Sequence, residues 1–411
     1  MTGGANLPLV SSYNRSVVLD AIRSAHDLSR VELAAMTGLT GATVSNIVRR
    51  LIDEQYVVEM GQSASTGGKP RTLLRINPTG GYAVGVQIDV DTTTSVLTDL
   101  LGAPLGRQRT AAGQTSRPAT VIAHVARDVR RLVQDAGIDP RRVVGVGVAT
   151  PGPIDHARGM VLNPPNMGRW QNVPLREELE RLLHPWPVLV DNDATVAAMG
   201  ERWAGGALSS NNFACIYMGT GIGAGIFVGG QVCRGTSSNS GEIGHISLDP
   251  LGELCFCGNR GCVELFSAPP AVVAAARARV GAGTGAALRL TGTSVRQDYA
   301  RIGQAVQRGD PLAVELISRA ADFLGYAVVT LTNLFDLDLV VLAGPAFARV
   351  GPLFLHAVQR ELAAKSLARD SHAVEVRLSE IAEDVGSIGA ASLVLHSEFA
   401  PRLISLKSRT G

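Results

Sequence analysis

No stretch of this sequence approaches the roughly 18 consecutive apolar residues of a membrane span. A transmembrane role is not expected. The opening MTGGANLPLV also lacks the basic start and apolar run of a secretory leader, which makes the cytoplasm the expected compartment. A large excess of one charge is missing too: 38 Lys+Arg stand against 36 Asp+Glu, a net charge of +2. The first eighty residues hold 8 basic and 6 acidic side chains, leaving 30 of each in the rest, so the whole excess lies at the N-terminus. Cysteine is scarce, with five residues in all, and three of these crowd into eight positions. In a cytosolic chain that points to a metal before a disulfide. What is plentiful points to folded α/β structure: 45% of residues are apolar, which excludes disorder as the main state, and 46 glycines suit many tight turns. A length of 411 residues is more than one core comfortably fills, so two or three domains are expected.

Residues 13–25 place Val17, Val18, Ala21, Ile22 and Ala25 at helical spacing. Ser29 with Glu32 three positions on is a capping-box signature for a second helix, and Gly38 ends it. Thr40 opens a third helix with Val44, Ile47, Val48, Leu51 and Ile52 inward. Strands at 56–59 and 72–76 around the Gly/Ser-rich GQSASTGGKPR then read as a wing, and residues 1–80 form an expected winged helix-turn-helix. A helix that enters a major groove needs short polar side chains in its first turns and cations nearby for phosphates. Thr40, Thr43, Ser45 and Asn46 fit the first need, and Arg49, Arg50, Lys69 and Arg71 the second. The plainer alternative is a solvated helix face in a protein-docking module. From residue 81 strands alternate with helices, and 82–102 and 213–235 read as the same strand-turn-strand unit twice. Two α/β lobes with a cleft between them, over residues 81–411, are the simplest architecture.

Cys255, Cys257 and Cys262 lie in CFCGNRGC, ten residues after His245. Three thiolates and an imidazole complete a tetrahedral zinc site, structural because every position is filled by protein. Three free buried thiols are the alternative. VLVDNDAT sets Asn192 and Asp193 just beyond a buried strand, where ligand-contacting groups of α/β folds collect. Such a pair also serves commonly as a turn or helix cap. Glu242 and His245 in GEIGH, Glu264 after the cysteines and Asn166 in NPPNMGRW add the directed donors and acceptors a polyol requires. GTGIGAG, at 219–225, is either a phosphate cradle or a tight hairpin. Its first-lobe counterpart, VQIDVDTTT, has no glycine, and Val90 with Asp89 and Asp91 would obstruct and repel a polyphosphate.

Taken together these residues resemble the ROK family (repressors, open reading frames and kinases), and in particular its repressor branch, which includes xylose and N-acetylglucosamine repressors. The resemblance spans essentially the whole chain and is most specific in EIGHISLDPLGELCFCGNRGCVE, with further matches in GVATPGPID, NPPNMGRWQNVPL, DNDATVAAMGE and MGTGIGAG. It implies an actin-like, sugar-kinase fold that binds sugar between its lobes and assembles as dimers or tetramers. It also implies sugar contacts from Asn166, Asn192, Asp193, Glu242, His245 and Glu264, with Asp193 as the kinase branch's catalytic base, here vestigial, and zinc on His245, Cys255, Cys257 and Cys262. Kinases of the family carry a D-x-G-G-T turn for ATP phosphates and metal, whereas 87–91 here reads QIDVD. The adenosine-side double glycine is altered to Ala343-Gly344-Pro345, and Thr195 stands where Asn is frequent. The expectation is a sugar-responsive regulator, most simply a repressor, that binds inverted-repeat duplex DNA as a homo-oligomer and catalyses nothing. An active sugar kinase with a DNA-binding arm is the alternative. A docking scaffold is a third.

Overall fold

The computed structural model describes residues 7–25, 27–62, 71–111, 117–165, 167–283, 288–292 and 294–400. Three helices, Leu7–Ala25, Arg30–Thr37 and Gly41–Asp53, build the N-terminal head. The capping box is present: the Glu32 N–H donates to Ser29 Oγ, and the Ser29 N–H donates to the Glu32 carboxylate at 2.8 Å. Gly38 closes that helix at φ 69°, a left-handed conformation that glycine adopts without steric cost. The third helix buries Val44, Val48 and Leu51. In the second helix only Leu33 is buried, while Val31 and Met36 face solvent.

Strands Val57–Gln62 and Thr72–Ile76 pair antiparallel as the expected wing. A two-residue strand, Leu28–Ser29, adds to the other edge of Thr72–Ile76, with Leu28 opposite Leu74. Such a short pairing leaves no periodicity in sequence. The wing tip, with Lys69, lies outside the described residues.

The two lobes are built to one plan. In the first, strands Tyr82–Ile88, Thr92–Asp99 and Pro104–Ala111 form an antiparallel meander, and Val143–Thr150 and Val188–Asn192 extend it in parallel beyond Tyr82–Ile88. In the second, Phe213–Met218, Ile222–Val228 and Gln231–Val232 form the meander, and Leu339–Ala343 and Glu375–Leu378 extend it. Numbered by order within each lobe, both sheets run 3-2-1-4-5, so the duplication read from the sequence is architectural. Helices Pro118–Asp135 and Leu175–Leu183 close the outer face of the first sheet, and Pro311–Phe335 and Gly351–Lys365 that of the second.

Each lobe's fifth strand leads into a helix that lies on the other lobe. Helix Asp193–Ala204 follows the first sheet and packs on the second, where a Cβ on Gly225 would stand 2.4 Å from Ala194 O. Helix Val385–Phe399 follows the second sheet and packs on the first, where a Cβ on Gly147 would stand 1.8 Å from Ala390 O. The two helices touch at Gly200 and Gly389, backbone against backbone. Glycine is required at these crossings because a side chain has no space there. The pair forms the floor of the interlobe cleft, and its far ends share one apolar core with the head.

Candidate functional site

Asn192 and Asp193 open helix Asp193–Ala204 beside a cluster of polar side chains. Asn192 Oδ1 accepts the Ala194 N–H at 2.9 Å and Asp193 Oδ1 accepts the same group at 2.8 Å. Asn192 Nδ2 is turned toward the loop that follows strand Val143–Thr150: a Cβ on Gly152 would stand 2.9 Å from Asn192 Nδ2 and 3.9 Å from Glu242 Oε1. The absent side chain lets the amide and the carboxylate converge. Burial, then the field of Asp89, raise the Asp193 carboxyl to about 7, with Glu242 contributing in the same direction. Glu242 is also raised by burial; Glu264 reinforces that and His245 opposes it.

Glu264 Oε1 accepts the Ile222 N–H at 2.7 Å, and a Cβ on Gly221 would stand 2.5 Å from the same oxygen. Asn192, Asp193, Glu242, His245 and Glu264 are therefore brought together from three separated stretches of chain. Asn166 lies outside the described residues. GTGIGAG is the turn of the second-lobe hairpin, with Gly219 N–H donating to Gly221 O at 3.1 Å. Its glycines admit the Glu264 carboxylate and the start of helix Asp193–Ala204.

Beside this cluster opens a cavity of about 940 Å³, lined by Gln87, Asp89, Asp91 and Arg109 of the first lobe and Arg296 and Tyr299 of the second, among others. Among the described residues, none of the five clustered side chains lines it. The cavity and the polar cluster are adjacent halves of one cleft. Gln87 Nε2 donates to the Tyr217 hydroxyl at 2.6 Å, which ties the first sheet to the second at the cavity wall. A Cβ on Gly386 would stand 1.8 Å from Gln87 Oε1, so the amide is wedged between a helix start and a phenol. Sequence reading singled out Gln87 as a lost acid but missed Tyr217, a strand residue whose neighbours in sequence are all apolar or glycine.

His245, Cys255, Cys257 and Cys262 place their ligand atoms within 4.8 Å of one another, a possible metal-binding cluster. Cys257 Sγ and Cys262 Sγ are 3.7 Å apart, and Cys255 Sγ lies 3.7 Å from His245 Nδ1. Zn–S bonds of about 2.3 Å and Zn–N bonds of about 2.0–2.1 Å at tetrahedral angles give ligand edges of roughly 3.6–3.8 Å. The donors fit zinc in number and type, and these two 3.7 Å separations match its ligand edges. Gly258 and Gly261, at φ 92° and 57°, turn the backbone around the cluster, and a Cβ on Gly261 would stand 2.0 Å from Asp249 O.

On the head, Asn46, Arg49 and Arg50 are exposed on the third helix, with Thr43 and Ser45 partly so. Thr40 caps that helix, its Oγ1 accepting the Thr43 N–H at 3.2 Å and lying 2.9 Å from Thr43 Oγ1. Arg49 Nη1 donates to Asn46 Oδ1 at 3.4 Å, which presents the amide and the guanidinium side by side. Arg71 is exposed at the base of the wing. This is a polar and basic face one helix long.

Residues 83–397 match the sequence profile described as ROK family, and residues 14–58 match that described as Winged helix-turn-helix DNA-binding. The xylose repressor of Caldicellulosiruptor bescii is 28% identical over 390 residues, covering 95% of this chain and 97% of that protein. The crystal structure of a ROK family transcriptional regulator, a homolog of the E. coli MLC protein, superposes with a TM-score of 0.78 at 26% identity, over 95% of this chain and 97% of the other. A ROK family glucokinase from Streptomyces griseus, solved with glucose and AMPPNP, gives a TM-score of 0.66 at 29% identity, over 76% of this chain and 99% of the other.

Proposed function

Since the chain belongs to the ROK family, we propose that it is a sugar-responsive DNA-binding repressor. A sugar bound between the lobes changes operator affinity, and the kinase-derived domain no longer transfers phosphate. The observation that carries this reading is the division of the cleft. One half keeps five convergent polar side chains, while the other presents Gln87, Asp89 and Asp91, with Gln87 bonded to Tyr217. Phosphoryl transfer rests on positioning and on neutralising charge. The 87–91 turn offers no glycine backbone to position a polyphosphate, and its two carboxylates repel one, although Arg109 and Arg296 line the same cavity.

On this reading residues 1–80 form the DNA-binding domain and 81–411 the sensor. Asn166, Asn192, Asp193, Glu242, His245 and Glu264 contact the sugar, with Asp193 a vestigial base that accepts a hydroxyl hydrogen. His245, Cys255, Cys257 and Cys262 hold a structural zinc that braces the His245 loop against the cleft. Thr43, Ser45 and Asn46 face base edges, and Arg49, Arg50, Lys69 and Arg71 face phosphates. Thr40, engaged as a cap, contributes chiefly by fixing the helix start. A homodimer or tetramer reads an inverted repeat with half-sites separated by whole helical turns. The similarity to a protein named xylose repressor and to a transcriptional regulator supports repression.

A thermal-shift screen against glucose, xylose and N-acetylglucosamine tests the sensor, because a ligand that binds the native state raises apparent stability by mass action. Ligand-dependent release of duplex DNA tests the response. A second reading, an active sugar kinase with a DNA-binding arm, is favoured by the Asp193 carboxyl at about 7, a value suited to a general base. ADP release with sugar and MgATP decides between them.

A further inference from the structure

We infer that Arg23, in the first helix of the head, is the positioning residue that couples sugar occupancy to the DNA-binding face; the inference rests on the sugar-responsive reading above. Helix Asp193–Ala204 begins at the two residues that open toward the polar cluster and ends on Arg23. Arg23 Nη1 donates to Trp203 O at 3.0 Å and to Arg202 O at 3.4 Å, and its guanidinium carbon lies 4.4 Å from the Trp203 ring centroid. Two further donors, Nε at 3.2 Å and Nη2 at 2.7 Å, grip Asp20 Oδ1 within the same head helix. One planar cation thus joins a head carboxylate to the carbonyl end of a sensor helix, where the helix dipole favours positive charge.

Arg23 is only 4% exposed, although no DNA-facing or sugar-facing role requires a buried arginine on the first helix. Trp203 is fixed in turn by its indole N–H, which donates to Leu100 O at 3.0 Å. Between these ends the helix is packed tightly enough to move as a unit. Every residue from Ala194 to Glu201 is buried, and Gly200 meets Gly389 of the crossing helix at backbone distance. At about 1.5 Å per residue, its twelve residues span about 18 Å from cleft to head.

The crossing helix Val385–Phe399 repeats the arrangement. Gly386, at its start, abuts Gln87 in the cleft, and Phe399, at its end, packs edge-on against Tyr56 of the head with ring centroids 5.0 Å apart. That second joint is apolar and tolerates sliding. Arg23 makes directional bonds, so it transmits the direction in which helix Asp193–Ala204 shifts when the lobes move about the sugar. Shared contacts alone do not prove coupling. A change in the linkage between two ligands does.

The test uses the full-length protein, a fluorescent duplex selected by that protein from a random library, and glucose, xylose and N-acetylglucosamine. Arg23→Lys keeps the charge but loses the two-pronged hold on Asp20 and the guanidinium's contact with the Trp203 ring. Asp20→Asn keeps Arg23 and loosens it, and it also removes the 3.8 Å ion pair between Asp20 and Arg202, so it tests the joint of which Arg23 is the centre if Arg23→Lys fails to melt cooperatively. Both variants are expected to bind sugar and, in its absence, duplex within about threefold of wild type. The sugar-induced change in duplex affinity, about 5–150-fold for typical allosteric coupling, is expected to fall to under about threefold. Hydrogen exchange at amides 13–25 should respond to sugar in wild type and not in the variants. An undiminished sugar response in a folded variant overturns the role of Arg23 and leaves the repressor reading standing. A wild-type protein that binds none of the sugars, or binds one without changing duplex affinity, overturns the repressor reading and this inference with it.

Discussion

The two lobes share a strand order, yet their first hairpins end in turns of opposite chemistry. In the second lobe Gly219 and Gly221 make a turn so spare that the Glu264 carboxylate reaches the Ile222 N–H. In the first lobe Asp89-Val90-Asp91 makes the turn, closed by Asp89 N–H to Thr92 O at 2.9 Å and by Val90 N–H to Asp89 Oδ1 at 2.7 Å. Burial raises the Asp89 carboxyl above its usual range. A duplicated scaffold can therefore keep its topology while each copy's turn sets what the cleft accepts. The second lobe's turn supports the polar cluster, and the first lobe's turn presents two carboxylates to the adjoining cavity.

The largest effect that sharpens this comparison is expected from the second lobe's metal cluster. Cys257→Ser should lose zinc, measured by elemental analysis, lower the melting temperature, and weaken sugar binding by at least about 100-fold, because a structural zinc contributes folding energy outright. Full sugar affinity in metal-free protein would break the link between zinc and cleft. Next in size is Asp193→Ala, which leaves a buried sugar hydroxyl without its partner, a loss of about 1–3 kcal/mol. Calorimetry should show sugar affinity down by about 5–150-fold, with duplex binding unchanged and no longer relieved by sugar. Arg49→Ala should do the reverse, weakening duplex binding by about tenfold and shallowing its salt dependence while sugar affinity holds; equal gel-shift affinities for the two proteins would refute a phosphate contact.

The smallest effect is a pH slope. The Asp193 carboxyl titrates near 7 in the folded chain against 3.8 for an ordinary aspartate. Its stabilising contribution is therefore fully present below about pH 4 and is lost as pH rises through 7. Thermal melts between pH 5 and 8 should show wild type losing stability with pH more steeply than Asp193→Asn, and parallel slopes would show that Asp193 is not held neutral.

Much of this architecture was legible in the sequence because local chemistry announces it. Ser29 with Glu32, Gly38 and Thr40 mark helix ends through bonds made within a few residues, and all occur as read. The duplicated strand-turn-strand units and the spacing of His245, Cys255, Cys257 and Cys262 are equally local, and the structure gathers those four side chains. The first helix starts at Leu7, ahead of the position from which its apolar spacing could be read. Strand Leu28–Ser29 is too short to carry a pattern. Interlobe features were invisible for a different reason: the Gln87–Tyr217 bond joins residues 130 apart, and Arg23 meets Trp203 at a separation of 180. Asn192 occurs as the helix cap that its position allowed, while its nitrogen is turned toward Gly152.

The measurement closest to the central claim is a paired titration of full-length protein: calorimetry with glucose, xylose and N-acetylglucosamine, then a coupled ADP-release assay with the sugar that binds and MgATP. The account predicts saturable sugar binding, no ADP above background, and release of bound duplex by that sugar. Steady ADP turnover at kinase-like rates would contradict it, because a first lobe that ends in Gln87, Asp89 and Asp91 would then still hold nucleotide and metal.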